Sequence, residues 1–491
     1  MIKIKIFSIA LLLSQILFGQ NTFQLEYGDV GEEKLKFTFE NSSGNFISIG
    51  SIQQNHGSFP TSPVILEIDN SGEIINELIY MKPDTSFFLQ YAYEKANGNY
   101  FLIGTMSDSL PSMYLDKNYI TYVCEITPEL NLVWEKYYTI PVPYRRHRLN
   151  NFILDAVSNL YVHGDADSSN SLDRVLLTMK FDKYGNQLDL NLYEEWGSDS
   201  EYNEMIFNKD STAIYFICDF SKNFSLYYDF IEMDVDLNIT NSISVIDWEH
   251  LCAGPASVKL LPNSTYIQAN KAFMEPGAIQ DLYIKIMDED FNTIRDTLIL
   301  YPEYNNIPSY EGMGFIDPDQ IWIATFEPAF NSSPGTEIFR FHIFDSNLNL
   351  TGMKVYGGDH RYWFNNLIIT SDGGCLMTGI VPDYNGSYND NGYIIKVMPE
   401  DIITNAEETP ISIDRDVMVY PNPFGNEILF QTVRKNLTFD LYDLTGNIIL
   451  TGDIVAHTES KISTNALNHG IYFYTIRDDW RIIQRGKLIK E

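Results

Sequence analysis

Seven copies of one short pattern constrain this chain more than any other feature of its sequence. In each copy an apolar segment ends on a small residue, and the copies follow one another at intervals of 51 to 60 residues. The seven small residues are Gly50, Gly104, Gly164, Cys218, Ala269, Ala324 and Gly379. A small residue at one fixed place in every copy predicts that neighbouring sheets come close there.

The copy in residues 87–138 contains four segments with the alternation of β-strands. They are residues 87–93, 100–104, 122–126 and 132–138. Tyr, Phe and Trp make up 14% of the chain, which also favours strands over helices. A four-stranded unit of about 55 residues in seven copies predicts an all-β fold, a seven-bladed β-propeller in which each sheet is one blade. A superhelical solenoid with free ends is the alternative.

The last copy lacks a fourth strand of its own. It runs from Trp363 to Asp401, while the segment 23–29 near the N-terminus resembles the fourth strand of the sixth copy at residues 353–359. We therefore expect the N-terminal strand to cross over and complete the seventh blade, because this leaves no open edge between the first blade and the last.

Residues 1–19 have the pattern of a secretory signal peptide. Lys3 and Lys5 precede an apolar stretch over residues 6–18, which is shorter than the roughly 20 residues of a membrane-spanning helix. Cleavage after Gly19 would remove it. No later segment reaches transmembrane length, so the sequence predicts an exported, soluble protein.

Residues 416–491 differ from the rest of the chain in pattern and in charge. Short alternating segments follow one another there, and turns rich in Pro, Gly and Asn separate them. Many short strands with such turns predict a small, immunoglobulin-like β-sandwich.

Four segments of this region carry a family resemblance. Val419–Pro423 reads Val-Tyr-Pro-Asn-Pro, Leu441–Gly446 reads Leu-Tyr-Asp-Leu-Thr-Gly, and Leu467–Phe473 and Gly486–Lys490 follow in order. Together they resemble the type A C-terminal sorting domain of the type IX secretion system, although Asn468–Gly470 departs slightly from the family pattern.

The resemblance implies a Bacteroidetes-type bacterium and the type IX secretion machinery as partner. It also implies passage through the periplasm, translocation across the outer membrane and removal of the domain. The protein is then released or attached to surface lipopolysaccharide. The predicted organisation is a signal peptide (1–19), a propeller (20–404), a linker (405–415) and the sorting domain (416–491).

Short sequence segments of the propeller are also similar to repeats of secreted Bacteroidetes propeller-like surface proteins. These parts are Trp134–Tyr137, Gly357–Gly358, Thr370–Gly374 and Tyr393–Lys396. That group has no single activity, so this resemblance supports the fold more than a function.

The net charge argues against polyanions as partners. The chain carries 66 acidic and 33 basic residues, a net charge of −33. The leader contributes +2 and residues 416–491 contribute −1, so residues 20–415 carry −34. Such a surface repels nucleic acid and anionic lipid headgroups.

The four cysteines are Cys124, Cys218, Cys252 and Cys375, and no Cys-x-x-Cys pair is present. This spacing argues against a zinc site. Export permits disulfides, but three of the four cysteines, Cys124, Cys218 and Cys375, lie in apolar strand patterns, and we expect buried free thiols there.

Candidate ligand-binding residues cluster in connections that we expect to be long and to lie on one face of the propeller, between blades and between second and third strands. They are Arg145, Arg146, His147, Arg148, Trp248, His250, His360, Arg361 and Trp363. Aromatic rings beside hydrogen-bond donors suit sugar or peptide recognition, and long loops on a rigid scaffold commonly carry function. The alternative is that these residues are solvated or only pack the rim.

Enzyme signatures are absent from the sequence: there is no His-Glu-x-x-His, Gly-x-Ser-x-Gly or phosphate-binding Gly-rich loop. No cofactor is predicted. Calcium at Asp165–Ser169 is a minor alternative, because Asn170 and Leu176 replace the Gly and Glu of a calcium loop.

The sequence therefore favours a secreted or surface-exposed, non-enzymatic binding or adhesion module. The alternatives are an extracellular glycan- or peptide-degrading enzyme with its site on the long-loop face, and a structural component of the cell surface.

Overall fold

The computed structural model describes twenty stretches of the chain. These are residues 22–28, 31–53, 61–80, 85–108, 119–168, 174–193, 204–220, 227–245, 253–273, 280–299, 306–327, 337–358, 360–382, 390–402, 417–420, 424–432, 437–443, 447–455, 460–478 and 481–490. Two compact units divide the chain between Asn405 and Ala406. The predicted signal peptide and linker lie outside the described residues.

The described part of the first unit forms seven four-stranded antiparallel sheets, and each of them coincides with one copy of the sequence pattern. The strands of the first three sheets and the N-terminal strand are β1 (Phe23–Tyr27), β2 (Glu32–Glu40), β3 (Phe46–Gln53), β4 (Ser62–Ile68), β5 (Ile74–Ile79), β6 (Thr85–Glu94), β7 (Tyr100–Asp108), β8 (Tyr119–Ile126), β9 (Leu132–Thr139), β10 (Tyr144–Leu154), β11 (Leu160–Ser168), β12 (Arg174–Phe181) and β13 (Gln187–Tyr193). Those of the other four are β14 (Glu204–Phe207), β15 (Ala213–Phe220), β16 (Tyr227–Asp234), β17 (Ile239–Val245), β18 (Ala253–Leu260), β19 (Tyr266–Phe273), β20 (Gln280–Met287), β21 (Thr293–Ile299), β22 (Ile307–Phe315), β23 (Ile321–Glu327), β24 (Ile338–Phe344), β25 (Leu350–Gly357), β26 (Trp363–Ile369), β27 (Cys375–Val381) and β28 (Asn391–Val397).

The N-terminal strand completes the last sheet. The order in that sheet is β1-β28-β27-β26, and β1 runs antiparallel to β28 with Phe23 opposite Lys396. The Tyr393 hydroxyl donates to Gln24 Oε1 at 2.9 Å, and Asn391 Nδ2 donates to Glu26 Oε1 at 2.6 Å. The crossover expected from the sequence is therefore present.

The sheets form a closed ring. Their innermost strands are β2, β6, β10, β14, β18, β22 and β26, and each contacts the innermost strand of the next sheet. The last of them, β26, packs against β2 of the first sheet. The solenoid alternative, which requires free ends, is therefore wrong, and the first unit is a β-propeller.

Burial follows position within each sheet. The second and third strands lie between two neighbouring sheets, and β27 is buried along its whole length. The outermost strands face solvent more, and β5 alternates between half-buried and exposed residues. Strands covered on both faces need continuous apolar runs, which explains the seven apolar segments of the sequence. Cys124 and Cys375 are buried free thiols, as predicted.

Tight turns join the first and second strands of a sheet, and also the third and fourth. In the turn after β12, the Asp182 carboxylate accepts hydrogen bonds from the backbone N–H groups of Tyr184 and Asn186 at 2.9 and 2.8 Å. Burial raises the pKa of Asp182, but the hydrogen bonds outweigh this effect, and the pKa lies below its ordinary value. Strand direction places these turns together at one end of the ring.

The second unit contains two sheets that share one core. They are formed by β29 (Val417–Tyr420), β30 (Glu427–Thr432), β31 (Leu437–Tyr442), β32 (Ile448–Ile454), β33 (Ser460–Ser463), β34 (Gly470–Asp478) and β35 (Arg481–Lys490), in the orders β29-β30-β33 and β32-β31-β34-β35. Phe430 of one sheet contacts Phe439 of the other, with ring centroids 4.7 Å apart. The predicted all-β fold, a propeller followed by a small β-sandwich, is confirmed.

Candidate functional site

A β-bulge interrupts six of the seven innermost strands where the recurring small residue lies opposite, and the described part of β14 pairs without one. A Cβ atom on Gly164 would lie 1.7 Å from the Arg148 carbonyl oxygen, and one on Gly50 would lie 2.1 Å from that of Lys34. The small residue therefore makes room for the bulge of its own sheet. The sequence-based expectation that it marks contact with a neighbouring sheet is wrong at these positions, because a bulge turns one carbonyl towards the adjacent strand.

The most irregular innermost strand is β22, whose pairing with β23 breaks between Pro308 and Met313. Within this break Glu311 has a φ of 47°, in the left-handed region. The chain is also tight here, because a Cβ on Gly312 would lie 2.6 Å from the Ser309 carbonyl oxygen. A non-glycine residue in this region costs on the order of 1 kcal/mol or more.

The Glu311 carboxylate is bound by side chains from other sheets. The Tyr91 hydroxyl on β6 donates to Glu311 Oε1 at 3.2 Å and lies within hydrogen-bond distance of the Asn150 carbonyl oxygen. Asn151 Nδ2 on β10 donates to the same Glu311 oxygen at 3.1 Å. Tyr91, Asn151 and Glu311 belong to the second, third and sixth sheets, so these bonds pass across the centre of the ring.

A second carboxylate lies close by, on β14. Lys259 Nζ contacts Glu204 Oε1 at 2.7 Å, and Ser257 Oγ donates to the same oxygen at 3.3 Å. The backbone N–H of Val258 donates to the other oxygen. Only 6% of the Glu204 side chain is exposed, against 34% of the Lys259 side chain. We call Lys36, Tyr91, Asn151, Glu204, Lys259 and Glu311 the axial cluster.

Burial and neighbouring charges shift the ionisation of this cluster. Burial raises the pKa of Glu311, and the Glu204 charge adds to this, while Lys36, Lys259 and the Tyr91 hydrogen bond oppose it. Burial lowers the pKa of Lys259, but the charge and hydrogen bond of Glu204 outweigh it, so the pKa lies above its ordinary value. The cluster therefore combines the Lys259–Glu204 ion pair with a carboxyl, that of Glu311, which holds its proton more tightly than usual.

The arginine-rich segment lies in a strand, whereas the sequence predicted a loop. Arg145, Arg146, His147 and Arg148 form the first part of strand β10 instead of a loop between blades, because Tyr144 onward pairs with β11. Arg146 contacts Asp167 at 2.8 Å. His147 is buried, with its Nε2 2.8 Å from Thr121 Oγ1, whereas Arg145 and Arg148 are exposed.

The second group of predicted residues lies at the start of β26. Trp363 is 51% exposed, His360 is also exposed, and Arg361 is half-buried. This group and the arginine-rich segment lie at the same end of the ring, opposite the tight turns, but on the seventh and third sheets. Trp248 and His250 lie outside the described residues, as do most residues of the long loops.

The proposed start of a calcium loop is part of strand β11. Asp165 accepts a hydrogen bond from Asn150 at 3.3 Å, and Asp167 is bound by Arg146. Within the described ranges no group of three or more His, Cys, Asp or Glu side chains is placed to hold a metal ion.

Sequence reasoning missed the axial cluster. The bulge residues Lys36 and Gln90 fit the ordinary alternation of apolar and polar residues, Leu35-Lys36-Phe37 and Leu89-Gln90-Tyr91, so the sequence gives no sign of a bulge there. No local pattern marks Glu311, because its position depends on the irregular backbone of β22.

Comparisons with known proteins bear on the two units differently. Residues 418–491 match the family model of the secretion system C-terminal sorting domain. No curated protein matches the chain. Among solved structures the chain is similar to a Dyadobacter fermentans protein of unknown function, with 8% identity over 77% of this chain and 100% of that one and a TM-score of 0.41.

Two further solved structures resemble the chain with similarly low identities and TM-scores. An ulvan lyase bound to -[GlcA(1-4)Rha3S]- shares 9% identity over 77% of this chain and 98% of its own, with a TM-score of 0.47. PorZ, a surface component of the type IX secretion system of Porphyromonas gingivalis, shares 9% identity over 95% of this chain and 75% of its own, with a TM-score of 0.31. At these identities the likeness concerns the fold alone.

No helix in the described part of the chain is long and apolar enough to cross a membrane.

The match to the family model covers all four segments on which the resemblance rests, and the two-sheet core of the second unit agrees with it. Residues 418–491 are a type IX secretion C-terminal sorting domain, the address that sends this protein to the cell surface or into the medium.

Proposed function

We propose that the propeller is a non-enzymatic binding or adhesion module, delivered to the cell exterior by the sorting domain. The predicted leader over residues 1–19, the periplasmic route and a Bacteroidetes-type source belong to the same proposal. Its main support is Trp363, which is 51% exposed beside the exposed His360 and the half-buried Arg361. A large exposed ring beside side chains that form hydrogen bonds, on a rigid scaffold, is typical of glycan and peptide recognition.

The axial cluster also favours binding over catalysis. Glu204 is occupied by three donors, and Glu311 by two. A general acid or base must be within reach of a substrate proton, whereas these carboxylates already hold hydrogen bonds from within the protein.

The experiment measures binding by the full-length protein on glycan and peptide arrays. We expect specific binding that Trp363→Ala weakens at least tenfold, since truncating an anchoring ring at an interface typically costs about 2 kcal/mol or more. Tyr184→Ala is the matched control, because Tyr184 is 60% exposed but lies in a tight turn at the opposite end of the ring. Equal loss in both variants, or no loss in either, would contradict the placement of the site.

A second candidate is a glycan- or peptide-degrading enzyme that uses the axial cluster. The observation in its favour is Glu311, which combines a left-handed backbone with a raised pKa. A panel of glycosidic and peptide substrates tests it. Turnover that Glu311→Gln abolishes would establish the enzyme and overturn the proposal of a non-enzymatic module.

A further inference from the structure

One end of the outer face of the four-stranded sheet in the sorting domain is apolar. Tyr442 of β31 lies opposite both Ile448 of β32 and Phe473 of β34, and Ile471 of β34 lies opposite Ile489 of β35. The phenyl and the three isoleucine side chains are 38% to 56% exposed, and Tyr442 is half-buried. We call these five residues the apolar row, which extends across all four strands of the sheet.

The alternation of the strands places the apolar row on the solvent side. Tyr472, Tyr474 and Leu488 alternate with members of the row along β34 and β35, and they are buried in the core shared with the other sheet. Because successive side chains of a strand point to opposite faces, the row points away from that core. An antiparallel sheet with one face in solvent normally carries polar residues on that face, and the row departs from this pattern.

Other parts of the domain follow the pattern. Further along β34, Arg477 Nε donates to Asp440 Oδ2 at 2.7 Å on the same outer face. The outer face of the other sheet carries the exposed residues Glu427, Lys461 and Ser463, and an ion pair of 3.8 Å joins the first two. Single exposed apolar residues are ordinary, whereas a contiguous exposed patch marks an interaction surface.

We propose that the apolar row is the surface by which a protein of the secretion machinery recognises the sorting domain, with Phe473 at its centre. The partner presents an apolar surface, so that contact removes the exposed aliphatic and aromatic side chains from water. This inference concerns the export address and does not depend on the binding function proposed for the propeller.

The charge of the chain favours this partner over two other occupants. A second copy brings another net charge of −33, and two such copies repel each other. Anionic lipid headgroups are repelled in the same way. A sorting domain acts only when another protein reads it, and residues 418–491 match the family of such domains. A protein surface of the machinery is therefore the occupant that fits.

Secretion of the full-length protein by a bacterium with a type IX secretion system tests the inference. Phe473→Ser should reduce the amount in the medium and on the cell surface by about tenfold or more, because a central aromatic side chain commonly dominates the affinity of an interface. The missing protein should be retained inside the cells. Ile471→Ser should act in the same direction, and normal secretion of both variants overturns the inference.

Val455→Ser is the matched control. Val455 is 59% exposed but lies at the end of β32 that is far from Ile448, so this variant should be secreted like the parent. Equal loss in Val455→Ser and Phe473→Ser would overturn the inference, since the position of the apolar residue would then be irrelevant. Melting curves of the purified variants establish that each is folded. If Phe473→Ser melts lower than the parent, Ile448→Ser takes its place, because Ile448 is the most exposed member of the row.

Light scattering of the purified full-length protein separates the machinery from a second copy. We expect the same mass for the parent and for Phe473→Ser. A dimer of the parent that Phe473→Ser dissociates would assign the apolar row to self-association and overturn the inference.

The two proposals fail separately. Phe473→Ser should leave binding on the glycan and peptide arrays unchanged, because Phe473 lies in the sorting domain and Trp363 in the propeller. Loss of array binding in Phe473→Ser would overturn the assignment of the row to export.

Discussion

The recurring glycines lack a Cβ atom, and this leaves space for the bulges of the innermost strands. Gly164 faces the Arg148 carbonyl oxygen across the bulge of β10, and no side chain fits between them. The same relation holds for Gly50, Gly104 and Gly379. The repeat in the sequence was therefore read correctly, but its cause lies within a sheet. Spacing cannot reveal a bulge, because the extra residue belongs to the partner strand.

The substitution Gly164→Ala should destabilise the propeller by about 2 kcal/mol or more, because the added Cβ would lie 1.7 Å from a backbone oxygen and β10 must shift. Urea unfolding of the full-length protein measures the change. Gly425→Ala is the control, since a Cβ there meets no atom within 4 Å. Equal stability of Gly164→Ala and the parent would show that the bulge yields freely.

His147 makes the propeller sensitive to acid. Burial lowers the pKa of this side chain from 6.5 to about 4. The unfolded chain therefore binds the proton first, and the stability that neutral His147 provides above pH 6.5 is lost as the pH falls towards 4. Between pH 7 and 4.5 the loss amounts to about 2 kcal/mol.

His147→Gln should flatten the pH dependence of the free energy of unfolding over this range, because glutamine keeps a hydrogen-bonding group near Thr121 and does not titrate. His360→Gln is the control, since His360 is exposed. A parallel decline in His147→Gln and the parent would exclude His147 as the source of the acid sensitivity.

At the scale of elements, the arginine-rich segment shows a limit of pattern reading. Charged residues at Arg145–Arg148 suggested a loop, yet the segment pairs with β11. Innermost strands line the ring instead of packing between sheets along their whole length, so they accept charged and polar residues. Glu204 and Lys259 occupy innermost strands for the same reason.

The N-terminal strand is the element on which ring closure depends. Deletion of residues 21–28 should lower the melting temperature by roughly 5 °C or more, because it exposes the edge of β28 and removes the buried Phe23 side chain. Glu26→Gln is the control, since it keeps the strand and only removes a charge. An unchanged melting temperature in the deletion variant would mean that the other contacts of β26 and β2 suffice to close the ring.

At the scale of the whole molecule, architecture was more predictable than the site. The ring, its N-terminal crossover and the sorting domain all follow from features that recur or lie in order along the chain. The axial cluster does not, because its members come from six sheets and more than 270 positions separate Lys36 from Glu311. Only the closed ring brings them together, and only the irregular pairing of β22 places Glu311 among them.

Ring closure also orders events in time. A chain synthesised from its N-terminus presents β1 first, yet the partner of β1 follows about 370 residues later, and so long a loop is slow to close. The sorting domain comes later still, after the last strand of the ring. A chain that displays the export address has therefore already produced every strand that the ring requires. Truncated passengers lack the address, so the position of the sorting domain acts as a check on completeness.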